Sequence, residues 1–134
     1  MKNILFVCSA NKDRSKTAED YFSKHYPNLL FDSGGTNKNI CNKLGTIYLS
    51  EEQLEVADKV FVMENKHLET IKKAFGNTYY HKITVLNIKD IYTYGAKDLV
   101  EILKAKISFL NIIVYTTDLI LDLGIFKIIQ NRSK

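Results

Sequence analysis

The chain has 134 residues, a formal net charge of +4 and a pI near 9.0, a size at which one domain buries about 68% of the surface its unfolded chain exposes. A single proline, six glycines, a charged fraction of 25% and the lack of any internal repeat exclude a disordered, low-complexity or solenoid protein. The positive balance suits an anionic ligand, but the lysines are scattered and form no stripe, so no nucleic-acid partner is expected.

The first element is a strand, Ile4 to Val7, nearly continuous in apolar residues. It runs into Cys8-Ser9-Ala10-Asn11-Lys12-Asp13-Arg14-Ser15. A strand, a short polar loop and a helix in that order put a thiol at the floor of a ring of backbone N–H groups, which suits a tetrahedral oxyanion. The nucleophilic form of cysteine is the thiolate, favoured beside a helix N-terminus and a fixed cation, and Cys8 is expected to have both. Arg14 offers a planar fork of donors that fits two phosphate oxygens, which lysine cannot do. Ser15 can either cap the following helix or hydrogen-bond the Cys8 sulfur. The bare C-x5-R spacing is common; strand before and helix after give it weight. The alternative for Cys8 is a buried structural thiol.

A helix from Ser15 to Tyr26 follows, with Ala18, Tyr21, Phe22 and His25 on one face. The second strand is read as Leu29 to Asp32, and Gly34 and Gly35 beyond it as a close backbone approach beside the loop. Asn37 to Lys43 is a polar segment in which Cys41 reads as a free surface thiol. Ser50 and Gln53 make a capping box before a short helix, Lys59 to Met63 is the third strand, and Asn65 can cap a helix running to about Phe75. Glu64 can orient the site from behind, although a plain acid preceding a helix is the simpler reading. Ile83 to Leu86 is the fourth strand, and Leu99, Ile102, Leu103, Ile107 and Leu110 fall at helical spacing. Apolar strands alternating with helices predict a single doubly wound α/β domain, with a four-stranded parallel sheet flanked by helices and ligands at the carboxyl ends of the strands.

That edge makes Asp90 the candidate general acid, since it follows the fourth strand by a short loop. Asp98 competes, but an acid at the start of a helix is explained by the helix dipole. Tyr92 and Tyr94 flank the loop as walls for an aromatic ester, and Tyr48 is a weaker candidate. Residues 1–110 are read as the α/β domain and 111–134 as an extension packed on it, where Ile112 to Tyr115 favours strand and Leu119 to Ile129 is ambiguous.

Cys8 and Cys41 are the only cysteines, there is no C-x-x-C pair, and His25, His67 and His81 share no helical face. No metal, no cofactor and a reduced, cytoplasmic setting are therefore expected. The run ending at Cys8 is too short for a secretory h-region of about 7–15 residues. Ile107 to Phe126 is apolar but carries Asp118 and Asp122, each costing roughly 2.5–3.5 kcal/mol near a bilayer centre, so it reads as core and no membrane partner is expected.

These residues resemble the low-molecular-weight protein tyrosine phosphatases, in particular a small divergent bacterial branch of predicted phosphatases. The resemblance rests on the Cys8 to Ser15 loop, Ser33-Gly34-Gly35-Thr36, Ala57-Asp58-Lys59-Val60-Phe61-Val62-Met63-Glu64 and Asp90-Ile91-Tyr92, over roughly the first three quarters of the chain. It implies a cysteine-dependent phosphomonoester hydrolase of this fold, with a phosphorylated substrate of the phosphotyrosyl-protein class. Carried over residue by residue, Cys8 attacks phosphorus, Arg14 binds the equatorial oxygens and Asp90 protonates the leaving phenol. Ser9, Ala10, Asn11, Lys12, Asp13, Ser15 and Tyr92 line the substrate.

The chain departs from the pattern in having Ala10 for glycine, Asp13 for a second cysteine and Lys16 for proline. Ala10 should then keep negative φ and Asn11 supply any left-handed residue. The Asp13 carboxylate must turn outward or repel phosphate, with Lys12 and Lys16 as partial offset. A non-catalytic phosphate-binding module, for which Asp13 argues, and a phosphocarrier of the sugar phosphotransferase type, against which Arg14 argues, are the rival readings. A fold-related arsenate reductase needs more cysteines than Cys41 supplies. The oligomeric state is left open.

Overall fold

The computed structural model describes residues 2–107. Four strands, β1 (Asn3–Cys8), β2 (Leu30–Gly35), β3 (Lys59–Val62) and β4 (Ile83–Val85), form one parallel sheet in the order β2-β1-β3-β4. The register sets Phe6 between Ser33 and Phe61, and Cys8 opposite Gly35. β1 is the central strand with partners on both edges, which is why its residues from Ile4 to Cys8 are all buried.

Successive side chains of β1 point to opposite faces. On one face Phe6 stacks against Phe22, Phe31 and Phe61 with ring centroids 5.7, 6.0 and 5.7 Å apart, anchoring helix α1 (Arg14–His25). On the other, Leu5 and Val7 join Leu54, Val60, Val62, Leu68 and Ile71 in a core shared with α3 (Glu51–Val56) and α4 (Asn65–Phe75). Full burial of such a side chain stabilises by about 1.5–3 kcal/mol, so both faces are fixed by apolar contact.

The predicted architecture is present: a doubly wound α/β sheet flanked by helices. The capping box forms, with Ser50 Oγ accepting from the Gln53 N–H at 3.2 Å and Gln53 Oε1 accepting from the Ser50 N–H at 3.1 Å. Four details differ. β2 runs three residues past Asp32 to Gly35, because Gly35 pairs with Cys8. The polar segment after Asn37 is helix α2 (Lys38–Leu44), capped by the Asn37 side chain and closed by Gly45 in the left-handed region at φ 72°. Glu64, not Asn65, is the N-cap of α4. His25 is exposed at the end of α1, stacked on Tyr21 and not packed in the core face.

Residues 97–107 are helical, as the spacing predicts. Leu110, the extension 111–134 and most of the apolar stretch Ile107 to Phe126 lie outside the described residues. Among the described residues no helix is long and apolar enough to cross a membrane.

Candidate active site

The carboxyl ends of β1 and β3 and the segments after β2 and β4 converge on the loop from Cys8 to Ser15. Its backbone is held from outside. The Cys8 carbonyl accepts from Thr36 N–H at 2.9 Å, the Ser9 carbonyl from Asn37 N–H at 2.9 Å, and the Ala10 carbonyl from Thr46 Oγ1 at 2.6 Å. A trans peptide points its N–H opposite to its C=O. Anchoring these three carbonyls therefore turns the N–H groups of Ser9, Ala10 and Asn11 to the other side, as an anion cradle requires.

Asn11 shapes the turn. It takes the left-handed conformation at φ 52°, whereas Ala10 does not. Its buried amide donates to Ser15 Oγ at 2.9 Å and Ser33 Oγ at 2.8 Å, and its oxygen accepts from Ile47 N–H at 3.2 Å. Ser33 Oγ in turn donates to Glu19. Gly35 packs directly behind: a Cβ there would lie 2.6 Å from both the Ser9 carbonyl oxygen and Cys41 Sγ, and 2.9 Å from the Asn11 nitrogen.

Cys8 Sγ is buried and 3.0 Å from Ser15 Oγ. That distance resolves the two readings of Ser15. It lies inside α1 as a partner of the sulfur, and the N-cap position belongs to Asp13, whose side chain makes no capping bond. The Asp13 carboxylate instead accepts from Tyr94 N–H at 2.8 Å, which ties the loop to the segment after β4. Lys16 is engaged with Glu19 at 3.2 Å and Asp20 at 3.3 Å, so it does not offset Asp13 as the sequence suggests.

Arg14, the first residue of α1, is 1% exposed. Its Nη1 donates to Glu64 Oε2 at 2.5 Å and to the Ile88 carbonyl at 2.7 Å, while the buried Nε has no hydrogen-bond partner among the described residues. Asp90 Oδ1 stands 3.6 Å from that Nε, too far to satisfy it, on a carboxylate 58% exposed. A buried, unpaired guanidinium N–H is costly and rare, and an oxygen of a bound anion would supply its acceptor. The Arg14 hydrogen bond holds Glu64 below the usual carboxylate range. Tyr92 is half-buried in the segment after Asp90, and Asp98 is exposed in the first turn of the last helical segment.

Tyr94 is pinned by its N–H to Asp13 and by its phenol to the Asp20 carboxylate, which raises its pKa. It overlooks a groove of about 450 Å³ together with Lys12, Lys16 and Ile47. Tyr48 is exposed and bridges to Gly35.

Sequence reasoning missed or undervalued three residues. Glu64 is more than a helix-preceding acid, because it carries the ion pair to Arg14. Cys41, read as a surface thiol, is fully buried on α2, with Sγ 3.8 Å from the Ser9 carbonyl. His67, set aside for want of metal partners, is 1% exposed and reaches Ser9 Oγ at 2.8 Å. The legible signal for it was its place three residues after an N-cap acid, where a side chain can return to the cap backbone.

No family model matches the sequence, and no curated protein is similar enough to match. Solved structures do match. The solution structure of the low-molecular-weight protein tyrosine phosphatase from Campylobacter jejuni is 21% identical with a TM-score of 0.65, covering 85% of this chain and 96% of that one. SP-PTP, the corresponding phosphatase from Streptococcus pyogenes, is 16% identical with a TM-score of 0.61, over 79% and 86% of the two chains. The YwlE arginine phosphatase from Geobacillus stearothermophilus is 23% identical with a TM-score of 0.55, over 82% and 86%. With its sheet order, its loop after β1 and its buried arginine, the chain has the fold of the low-molecular-weight protein tyrosine phosphatases, the family its sequence resembles.

Proposed function

We propose that the chain is a metal-independent, cysteine-based phosphomonoester hydrolase. The observation that carries this reading is the pairing of a buried Cys8 sulfur, hydrogen-bonded to Ser15 at the head of α1, with a buried Arg14 whose Nε lacks an acceptor among the described residues. In the first step the Cys8 thiolate attacks phosphorus and forms an S–P bond as the P–O bond to the leaving group breaks. Arg14 and the loop N–H groups stabilise the equatorial oxygens, and Asp90 gives its proton to the departing oxygen. In the second, water attacks phosphorus, Asp90 takes a proton from it, the S–P bond breaks and phosphate leaves.

The substrate is read as a phosphotyrosyl protein, its ring passing between Tyr92 and the groove lined by Lys12 and Tyr94. A free thiol nucleophile suits a reducing compartment, the cytoplasm. The engagement of the Asp13 carboxylate by the Tyr94 N–H weakens the case for a silent phosphate-binding module, and Arg14 that for a phosphocarrier.

The test is turnover of phenyl phosphate and of phosphotyrosyl and phosphoarginyl peptides by the wild type and Cys8→Ser. Turnover in the wild type, its loss in Cys8→Ser with orthophosphate binding kept, and a trapped phosphoenzyme in single turnover are expected. Full activity in Cys8→Ser would refute the nucleophile.

A further inference from the structure

The first turn of α4 holds both ends of the anion loop at once. Glu64 takes Arg14 at the far end, and three residues on, His67 takes Ser9, the residue directly after the nucleophile. His67 Nδ1 accepts from the Glu64 N–H at 3.0 Å. In a neutral ring with Nδ1 as acceptor, Nε2 must carry the hydrogen. The 2.8 Å contact is then His67 Nε2–H donating to Ser9 Oγ. Burial, reinforced by the charge of Arg14, presses the imidazole pKa to about 4, so the ring is neutral at pH 7 and this tautomer is the one in place.

We propose that His67 is a positioning residue for the hydrolase read above, fixing Ser9 so that the leading N–H groups of the loop meet the phosphoryl oxygens in the transition state. Ser9 is held twice, by α2 through its carbonyl and by α4 through its hydroxyl. A helix cap alone would need only Nδ1; the second nitrogen is spent on the loop. Oxyanion donors act through placement, and a misplacement of about 1 Å can cost up to 10²-fold in rate.

The two ring nitrogens can be separated by substitution. In His67→Asn the amide oxygen replaces Nδ1 and keeps the cap, but the side chain is too short for Ser9. In His67→Gln the longer amide replaces Nε2 and reaches Ser9. With phenyl phosphate as substrate, His67→Asn is expected to lower kcat about tenfold with little change in KM, and His67→Gln to restore most of it. Ser9→Ala should match His67→Asn, and the double variant Ser9→Ala/His67→Asn should be no worse than either alone. Wild-type kcat in His67→Asn, or additive losses in the double variant, overturns the proposal. Should His67→Asn fail to fold, Ser9→Ala alone decides: a tenfold loss supports it and wild-type kcat sinks it. These outcomes stand apart from the hydrolase reading, which fails if the wild type shows no turnover or if Cys8→Ser keeps it.

Discussion

Asp90 and Asp98 are exposed acids eight positions apart, and only Asp90 faces the guanidinium of Arg14. Removing a positioned acid costs about 10²–10⁴-fold, and the loss is largest when the leaving alkoxide is a poor one. Asp90→Asn is therefore expected to reduce kcat on phenyl phosphate at least about 10²-fold, and Asp98→Asn to leave it within about twofold. Equal effects in steady-state assays would reverse the assignment. At this scale the sequence was most legible where a residue's conformation follows from its own chemistry. Asn11, the residue best able to take positive φ at that point, does so. It was least legible where the partner is distant in the chain. Cys41 is surrounded by polar neighbours in sequence, and only folding brings its sulfur against the carbonyl of Ser9.

Among the elements, strands were legible because a sheet covered on both faces demands unbroken apolar runs, as in Ile4 to Val7 and Val60 to Val62. Helix α2 was not, since Cys41 is its one buried residue and gives no periodicity. Its only signals were terminal, Asn37 at the start and Gly45 past the end. The extension of β2 escaped notice because glycines are depleted in strands; here they are needed because β2 passes so close beneath the loop. Gly35→Ala places a methyl group within 2.6 Å of a backbone oxygen, so either β2 or the loop must move. A destabilisation of about 1–3 kcal/mol is expected, read as a lower urea midpoint at unchanged m-value, together with weaker orthophosphate binding. An unchanged midpoint and affinity would mean that the loop is softer than its anchors imply.

Across the whole molecule, acid should act first at the α4 end. The groups facing His67 are Glu64 and Lys66 on its own helix, Arg14 from α1 and Asp90 from the segment after β4. Its pKa is depressed from 6.5 to about 4. The unfolded chain therefore binds the proton more readily, and stability present above pH 6.5 is lost as pH falls towards 4. Glu64, also depressed, works in the same direction below its ordinary value of 4.5. Melting temperature should thus decline between pH 6.5 and 4, by the equivalent of at most about 3 kcal/mol for His67, and His67→Gln should flatten the decline. A flat profile in the wild type would place a proton on the imidazole in the native state.

Arg14 is immobilised by Glu64 and the Ile88 carbonyl before any ligand arrives. As the floor of the proposed phosphate site, a group held so rigidly would offer the same welcome to every tetrahedral dianion, whether esterified or free. On the proposed reading, choice among substrates then falls to the side chains around the loop, Lys12 and Tyr94 among them. Evolution can redraw those side chains without disturbing the chemistry beneath them.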